Sequence, residues 1–479
     1  MPSAPLLTRA DGRVREVSVP ALVPRVARGS LADLPYDNAR QDPDAAVFSR
    51  KNPDGTWYDV TAARFAADVH AVAKGLVAHG LRPGDRLAVM ARTTYEFTLL
   101  DFAAWAAGLV TVPVYPTSSA FQVRWILQDS GAVACVVEDA DQARVLSAER
   151  RHVPGLAHLW VLDAGAVEQL RRAGQRVPDE TVTARRGLLA PEALATLVYT
   201  SGTTGRPKGC ALTHANFFAE VDNAVKLLHP VFAPEGGEPP STLLFLPLSH
   251  VFGRMVSIGC VRARVRVGHA PAVEGDALLD DLAAFRPTFL LAIPHVMEKV
   301  YDRARATAER AGKGAAFDRA ARTARRFGRT GDPSLSVRAA RALYDPLVYR
   351  RIRAALGGRV RYVICGGSPL VAQCMVVGDD RPYVSALVTL DHWRRMRQKD
   401  HLALWELARD RELLAVVQKA VDDANRLVSR AESIRAFRVL TTGFTESSGH
   451  LTPSLKLRRR AVLRDYAREI DEMYGAYAE

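Results

Sequence analysis

The sequence predicts an α/β protein: a large N-terminal domain of layered, mostly parallel βα sheets, followed by a small α+β C-terminal domain. Three observations carry this. Short apolar runs alternate with helix-like segments through the first 370 residues. After that point the rhythm changes to two strand-like runs and a long helical pattern. Finally, 479 residues are too many for one ordinary core. Strands separated by helices in this way argue for parallel sheets, because a parallel crossover needs a helix-length connection.

The elements follow in order. LAVM (87–90), TVPVY (111–115), AVACVV (132–137), HLWVL (158–162), TLVYT (196–200), TLLFL (242–246), TFLLA (288–292) and RYVIC (361–365) are short and apolar, as buried strands are. SSAFQVRWILQDSG (118–131) opens with serines suited to an N-cap and sets Phe121, Trp125 and Ile126 on one side. HANFFAEVDNAVKLL (214–228) follows Thr213, a second plausible N-cap. Strand-like runs at 371–377 and 383–390, helical patterns over 400–429 and the run SIRAFRVL (433–440) complete the chain.

The totals exclude several classes. Hydrophobic content of 48% with 24% charged residues is that of a soluble globular protein. The best candidate membrane span, 102–115, is too short and holds a proline. The N-terminus has no apolar signal core. Five scattered cysteines, none in a CxxC pair, argue for a reducing cytoplasm with neither disulfide frame nor zinc site. The net charge of +13 is mostly arginine in helical stretches such as 301–329 and 337–361. Solvated helix faces account for it. An anionic partner, such as a membrane surface or nucleotide phosphates, stays open. The aromatics of these stretches do not interleave the arginine clusters as a nucleic-acid groove would require.

The segment TLVYTSGTTGRPKGCALTHANF (196–217) carries the chemistry. Its apolar run ends at Thr200, and Ser201, Gly202, Thr203, Thr204 and Gly205 follow, then Lys208. Glycines let a backbone approach a phosphate chain, hydroxyls donate to its oxygens, and the ammonium adds charge. The spacing is not that of a Walker A loop. The expected setting is strand–loop–helix.

This loop resembles the phosphate-binding signature of the adenylate-forming (AMP-binding) acyl-CoA synthetases. Further segments extend the resemblance over nearly the whole chain. FLPLSHVFGR (245–254) is similar to the family's second signature, whose histidine, here His250, sits near the acyl carboxylate and helps gate the acyl pocket. YPTSSAFQVRWILQDSGA (115–132) and IPHVMEKVYDRARATAE (293–309) resemble the long-chain fatty-acyl branch, with His295 where that branch often has arginine. CGGSPL (365–370) resembles a segment lining the adenine and acyl pockets, and GHLTPSLKLRRR (449–460) the C-terminal catalytic segment with Lys456 as its lysine. The resemblance implies catalytic roles for Lys456, His250 and Thr200. It implies nucleotide binding by Ser201, Gly202, Thr203, Thr204, Gly205, Lys208, Gly366, Gly367 and Ser368. The implied partners are a fatty acid, ATP with Mg²⁺, and coenzyme A; no metal ligand is assigned. The expected setting is cytoplasmic, with peripheral contact at a membrane surface open.

Three family signatures expected after GGSPL are missing: a Tyr-Gly-x-Thr-Glu segment, a Thr-Gly-Asp, and a Gly-Arg-x-x-Lys-Glu hinge. Thr330-Gly331-Asp332 and Gly443-Phe444-Thr445-Glu446 imitate two of them in the wrong places. The run 370–391 resembles a strand pair from inside the family's small domain. On the order of 100–150 residues are therefore absent relative to the family pattern, with the join between Leu370 and Val371. The expected domains are 1–370 and 371–479. Three readings stay open: a fatty-acyl-CoA ligase impaired by an internal deletion, a non-catalytic acyl- or nucleotide-binding descendant, and an adenylating enzyme serving a carrier protein.

Overall fold

The computed structural model describes residues 6–8, 14–17, 20–200, 206–232, 239–271, 276–329, 333–365, 374–378, 381, 383–389, 406, 408–425, 433–445, 448–451 and 457–475. A hairpin of β1 (Leu6–Thr8) and β2 (Val14–Val17) precedes helix α1 (Leu34–Gln41), the antiparallel pair β3 (Ala46–Lys51) and β4 (Trp57–Thr61), and helix α2 (Ala62–Ala78). Strand and helix then alternate: β5 (Arg86–Met90), α3 (Tyr95–Ala106), β6 (Val110–Val114), α4 (Ala120–Ser130), β7 (Ala132–Val137), α5 (Ala140–Glu149) and β8 (His158–Val161). Two short helices, α6 (Ala166–Gly174) and α7 (Asp179–Gly187), lead to β9 (Leu194–Thr200) and β10 (Lys208–Thr213). Next come α8 (His214–Leu227), the single turn α9 (His229–Phe232), β11 (Ser241–Leu244), α10 (Val251–Arg262), β12 (Arg266–His269), α11 (Asp276–Phe285) and β13 (Phe289–Ala292). The arginine-rich helices α12 (Pro294–Arg310), α13 (Gly314–Arg329), α14 (Leu335–Tyr344) and α15 (Arg350–Ala355) follow, then β14 (Tyr362–Cys365), β15 (Cys374–Val377), β16 (Val384–Thr389) and β17 (Ile434–Leu440).

All eight apolar runs of the N-terminal region are strands. The chain divides into two compact units that interleave along the sequence. One comprises Met1–Thr200, Pro207–Leu291 and Leu343–Ile364; the other comprises Ser201–Arg206, Ala292–Ala342 and Cys365–Glu479. In the first unit the main sheet has the order β10-β9-β6-β5-β7-β8, parallel except for the edge pair β10–β9. Its central strands are buried along their length because helices cover both faces. Helix α3 is buried all round, so its sequence is apolar without amphipathic spacing. A second sheet has the order β11-β12-β3-β4. β3, β4 and β12 escaped the sequence reading because Ser49, Arg50, Lys51, Asp59 and Arg266 interrupt their apolar pattern.

Two histidines are buried in this unit. His214 Nδ1 accepts from the Leu31 amide at 3.3 Å, and His269 Nε2 lies 3.0 Å from Thr98 Oγ1 while its ring stacks on Phe48. Burial pushes the His214 imidazole down to about 4; burial and the nearby Arg50 charge push His269 to about 3. The unfolded chain titrates near 6.5. Below that pH the unfolded state binds more protons, so stability falls as pH falls from about 6.5 towards 4. For His214 the loss by pH 4.5 is about 2–3 kcal/mol. Urea midpoints measured at pH 7 and pH 4.5 should therefore drop less in a His214→Gln variant than in the parent. An equal drop contradicts this assignment.

Among the described residues a third sheet holds β13 and β14. β13 is buried at every position, whereas Tyr362 and Val363 of β14 are each 42% exposed. Neighbouring residues of a strand point to opposite faces, so both faces of β14 are partly exposed. Its sequence, YVIC, suits a strand covered on both sides. An uncovered apolar edge is an aggregation site. Val363→Lys should lower the light scattering of concentrated protein at neutral pH without lowering Tm. Unchanged scattering would place the sticky surface elsewhere.

In the second unit β15-β16-β17 form a sheet, antiparallel then parallel. Met375, Val377, Leu387, Leu440 and Phe444 pack on one side against Val462, Ile470 and Met473 of the helices Arg459–Asp465 and Ala467–Gly475. Val439 packs against Leu413 of the helix Arg411–Asn425. β14 and β15, separated by eight residues, thus belong to different sheets. Leu370 and Val371 lie outside the described residues.

Candidate functional site

The glycine-rich segment is held differently from the strand–loop–helix expected. β9 ends at Thr200, and β10 begins at Lys208 and pairs antiparallel with it, Lys208 opposite Thr200 and Gly209 opposite Tyr199. The segment is therefore the connection of a β-hairpin at the edge of the main sheet, and helix α8 starts only after β10. β10, KGCALT, is exposed over its first four residues and lacks alternation, which hid it in the sequence. Thr213 is the α8 N-cap as expected, in a reciprocal capping box with Asn216. Ser201, Gly202, Thr203, Thr204 and Gly205 lie outside the described residues, as do Gly366, Gly367, Ser368 and Lys456. The structure therefore brings Thr200 and Lys208 together at the hairpin base.

β9 is fixed from beneath. Trp105 Nε1 donates to the Ala195 carbonyl at 2.8 Å, and Thr196 Oγ1 donates to the Thr111 carbonyl at 2.7 Å. Arg254, fully buried, reaches across from α10. Its Nη1 donates to Thr196 Oγ1 at 3.1 Å, and its Nη2 donates to Thr111 Oγ1 at 2.7 Å and Asp101 Oδ1 at 2.9 Å. Burial raises the Asp101 carboxyl, while the Arg254 charge opposes that rise. This network was not read from the sequence. The arginine closing FLPLSHVFGR was quoted, but its buried acid lies 153 residues away.

His250 caps α10: its Nδ1 accepts from the Phe252 amide at 3.2 Å, and its own amide donates to the Pro247 carbonyl at 3.0 Å. Gly253 explains the glycine of that signature. A Cβ there would sit 2.3 Å from the Pro247 carbonyl oxygen, so only glycine lets the helix turn back onto the strand end. His250 and Arg254 thus occupy the first turn of one helix, the latter bolted to β9 and β6.

In α4 a serine N-cap forms as expected, at Ser119, and a capping box with Gln122 reinforces it. Val123, Ile126, Leu127 and Ser130 form the buried face, and Phe121 is 48% exposed, contrary to the side expected of it. Arg124 lies over the Phe121 ring and pairs with Glu149 at 3.1 Å, which keeps that turn at the surface.

In the second unit, the segment bearing Lys456 is closed by a bridge between Leu451 and Leu457 and by the Arg458 amide donating to the His450 carbonyl at 2.7 Å. His450 lies 3.0 Å from Asp465 Oδ2 and 2.9 Å from Ser448 Oγ. Phe444 and Thr445, part of the G-x-T-E imitation, are structural: Phe444 is in the sheet core and Thr445 shares a turn with Ser448. Thr330-Gly331-Asp332 and Glu446 lie outside the described residues. Among the described residues no helix is long and apolar enough to cross a membrane, and no group of three His, Cys, Asp or Glu could hold a metal ion.

Comparison with known families assigns the chain to an enzyme class. The AMP-binding enzyme family model matches residues 36–377, and that of the AMP-binding enzyme C-terminal domain matches 359–478. The chain belongs to the AMP-binding, acyl-CoA synthetase family. It is 33% identical to the long-chain-fatty-acid–CoA ligase FadD15 of Mycobacterium tuberculosis over 605 aligned positions, covering 96% of this chain and all of that protein. With human long-chain-fatty-acid–CoA ligase 1 it shares 28% identity over 344 residues, 68% of this chain and 47% of that protein. Among solved structures it shares its fold with the adenylation domain of a carboxylate reductase from Mycobacterium chelonae. There the TM-score is 0.62 at 17% identity, covering 93% of this chain and 91% of the other. In the FadD15 alignment a chain of 479 residues fills at most 479 of 605 positions, so at least 126 (605 less 479) face gaps in this chain.

Proposed function

We propose that this chain is, by descent, an AMP-forming long-chain fatty-acid–CoA ligase whose adenylation step is impaired by loss of an internal segment at Leu370/Val371. The parent reaction has two steps. A fatty-acid carboxylate attacks the α-phosphorus of ATP, forming the acyl-adenylate and releasing pyrophosphate. The thiol of coenzyme A then attacks the acyl carbon, forming the thioester and releasing AMP. Bringing two anions together needs a positioned cation at the phosphoryl oxygens, the role the resemblance gives Lys456. The hairpin with Lys208 at its base suits the phosphate chain, and His250 on α10 suits the acyl side. Among the described residues no group of three His, Cys, Asp or Glu could hold magnesium.

The observation that carries the impairment is β14. A strand with a two-sided apolar sequence is partly exposed on both faces just before the proposed join, and among the described residues the next strand, β15, belongs to another sheet. The 126 or more positions of that alignment without a counterpart in this chain support an internal loss. The two family models also overlap over 359–377, across the join. Calorimetric titration of the purified chain with ATP tests the reading. A dissociation constant about 100-fold or more above that of the FadD15-type relative under the same conditions is expected, from losing at least two charge-assisted contacts. Equal affinity contradicts it.

A further inference from the structure

We infer that helix α4 is a clamp that positions the phosphate-binding hairpin, with Trp125 and the Tyr199–Asp129 pair as positioning residues. This rests on the phosphate-binding reading of the 201–205 segment given above.

The geometry ties both strands of the hairpin to one helix. On the exit side, Trp125 Nε1 donates to the Pro207 carbonyl at 2.9 Å. On the entry side, the Tyr199 hydroxyl donates to Asp129 Oδ2 at 2.7 Å. Trp125 and Asp129 are four residues apart and so share a helix face. Tyr199 also links the two strands. Its ring lies against Gly209, its partner in register, where a Cβ would stand 3.0 Å from ring carbon Cζ. Burial and the Asp129 carboxylate hold the Tyr199 phenol well above its ordinary range, so it remains a donor at any working pH.

These bonds compensate for a weakness of the edge. β10 is exposed over four of its six positions and has little apolar burial of its own. A glycine-rich connection also loses much backbone entropy when it is ordered around a ligand. Fixing both strands in advance reduces that loss and favours phosphate binding.

The test uses the full chain with Trp125→Phe and Tyr199→Phe, which keep the rings and remove only the donors. Hydrogen–deuterium exchange is read on peptides spanning 194–213 and on the rest of the chain. Each variant is expected to speed exchange of the hairpin by about 3- to 10-fold, with the other peptides unchanged. Inorganic triphosphate and ATP should then bind about 3- to 10-fold more weakly, while adenosine, which has no phosphates, binds as before. Unchanged hairpin exchange overturns the clamp. So does a uniform rise across the chain, because the residues then serve the core in general. A parent chain that shows the exchange pattern but binds no triphosphate counts against the phosphate-loop reading and leaves the clamp standing.

Discussion

Inserting the matching segment of the FadD15-type relative between Leu370 and Val371 is expected to raise fatty-acid-dependent ATP–pyrophosphate exchange by about 10²–10⁴-fold. The family resemblance places an Asp on the ribose hydroxyls and a Glu at the metal in that segment. Hydrogen bonds to charged groups contribute about 1.5–3 kcal/mol each, and two of them give this range. The segment would also cover β14, whose Tyr362 and Val363 are now exposed. The graft should therefore raise Tm as well as the rate. A chimera that folds with a covered β14 and still exchanges no faster would mean that the lost contacts were not limiting.

Arg254→Ala is the single substitution expected to cost the fold most, about 3–5 kcal/mol. The guanidinium is fully buried and joins α10 to Asp101 on α3, Thr111 on β6 and Thr196 on β9. Removing it leaves the Asp101 carboxylate buried without its cation and leaves a cavity beneath the strand that leads to Thr200. Replacing both members of the pair, as in Arg254→Met with Asp101→Leu, should recover most of that loss, because desolvating an ion pair offsets much of its attraction. Chemical denaturation of the two single variants and the double variant forms a cycle. Additive losses contradict a coupled pair.

Much of the fold was legible because its strands are buried on both faces, and such strands read as continuous apolar runs whatever their neighbours are. β10 was not, since an exposed edge strand of small and polar residues has no hydrophobic period. The candidate site was legible as a set of motifs, yet its supports were not. Arg254 finds Asp101 153 residues away, and Trp125 finds Pro207 82 residues away; no local pattern announces such pairs. Phe121 was misplaced because one aromatic at helical spacing cannot reveal that Arg124 and Glu149 hold its turn at the surface. The join behaved in the opposite way. YVIC and CMVV are each good strands, so local propensity does not show that they lie in different sheets. The proposed join rests instead on the missing signatures, with the exposed residues of β14 in support.

The most direct measurement is fatty-acid-dependent ATP–pyrophosphate exchange by the purified 479-residue chain, run beside the FadD15-type relative. A rate at least about 100-fold below the relative, with ATP binding weakened to match, is the expected result. Exchange at the relative's own rate would contradict the loss of a working adenylation site.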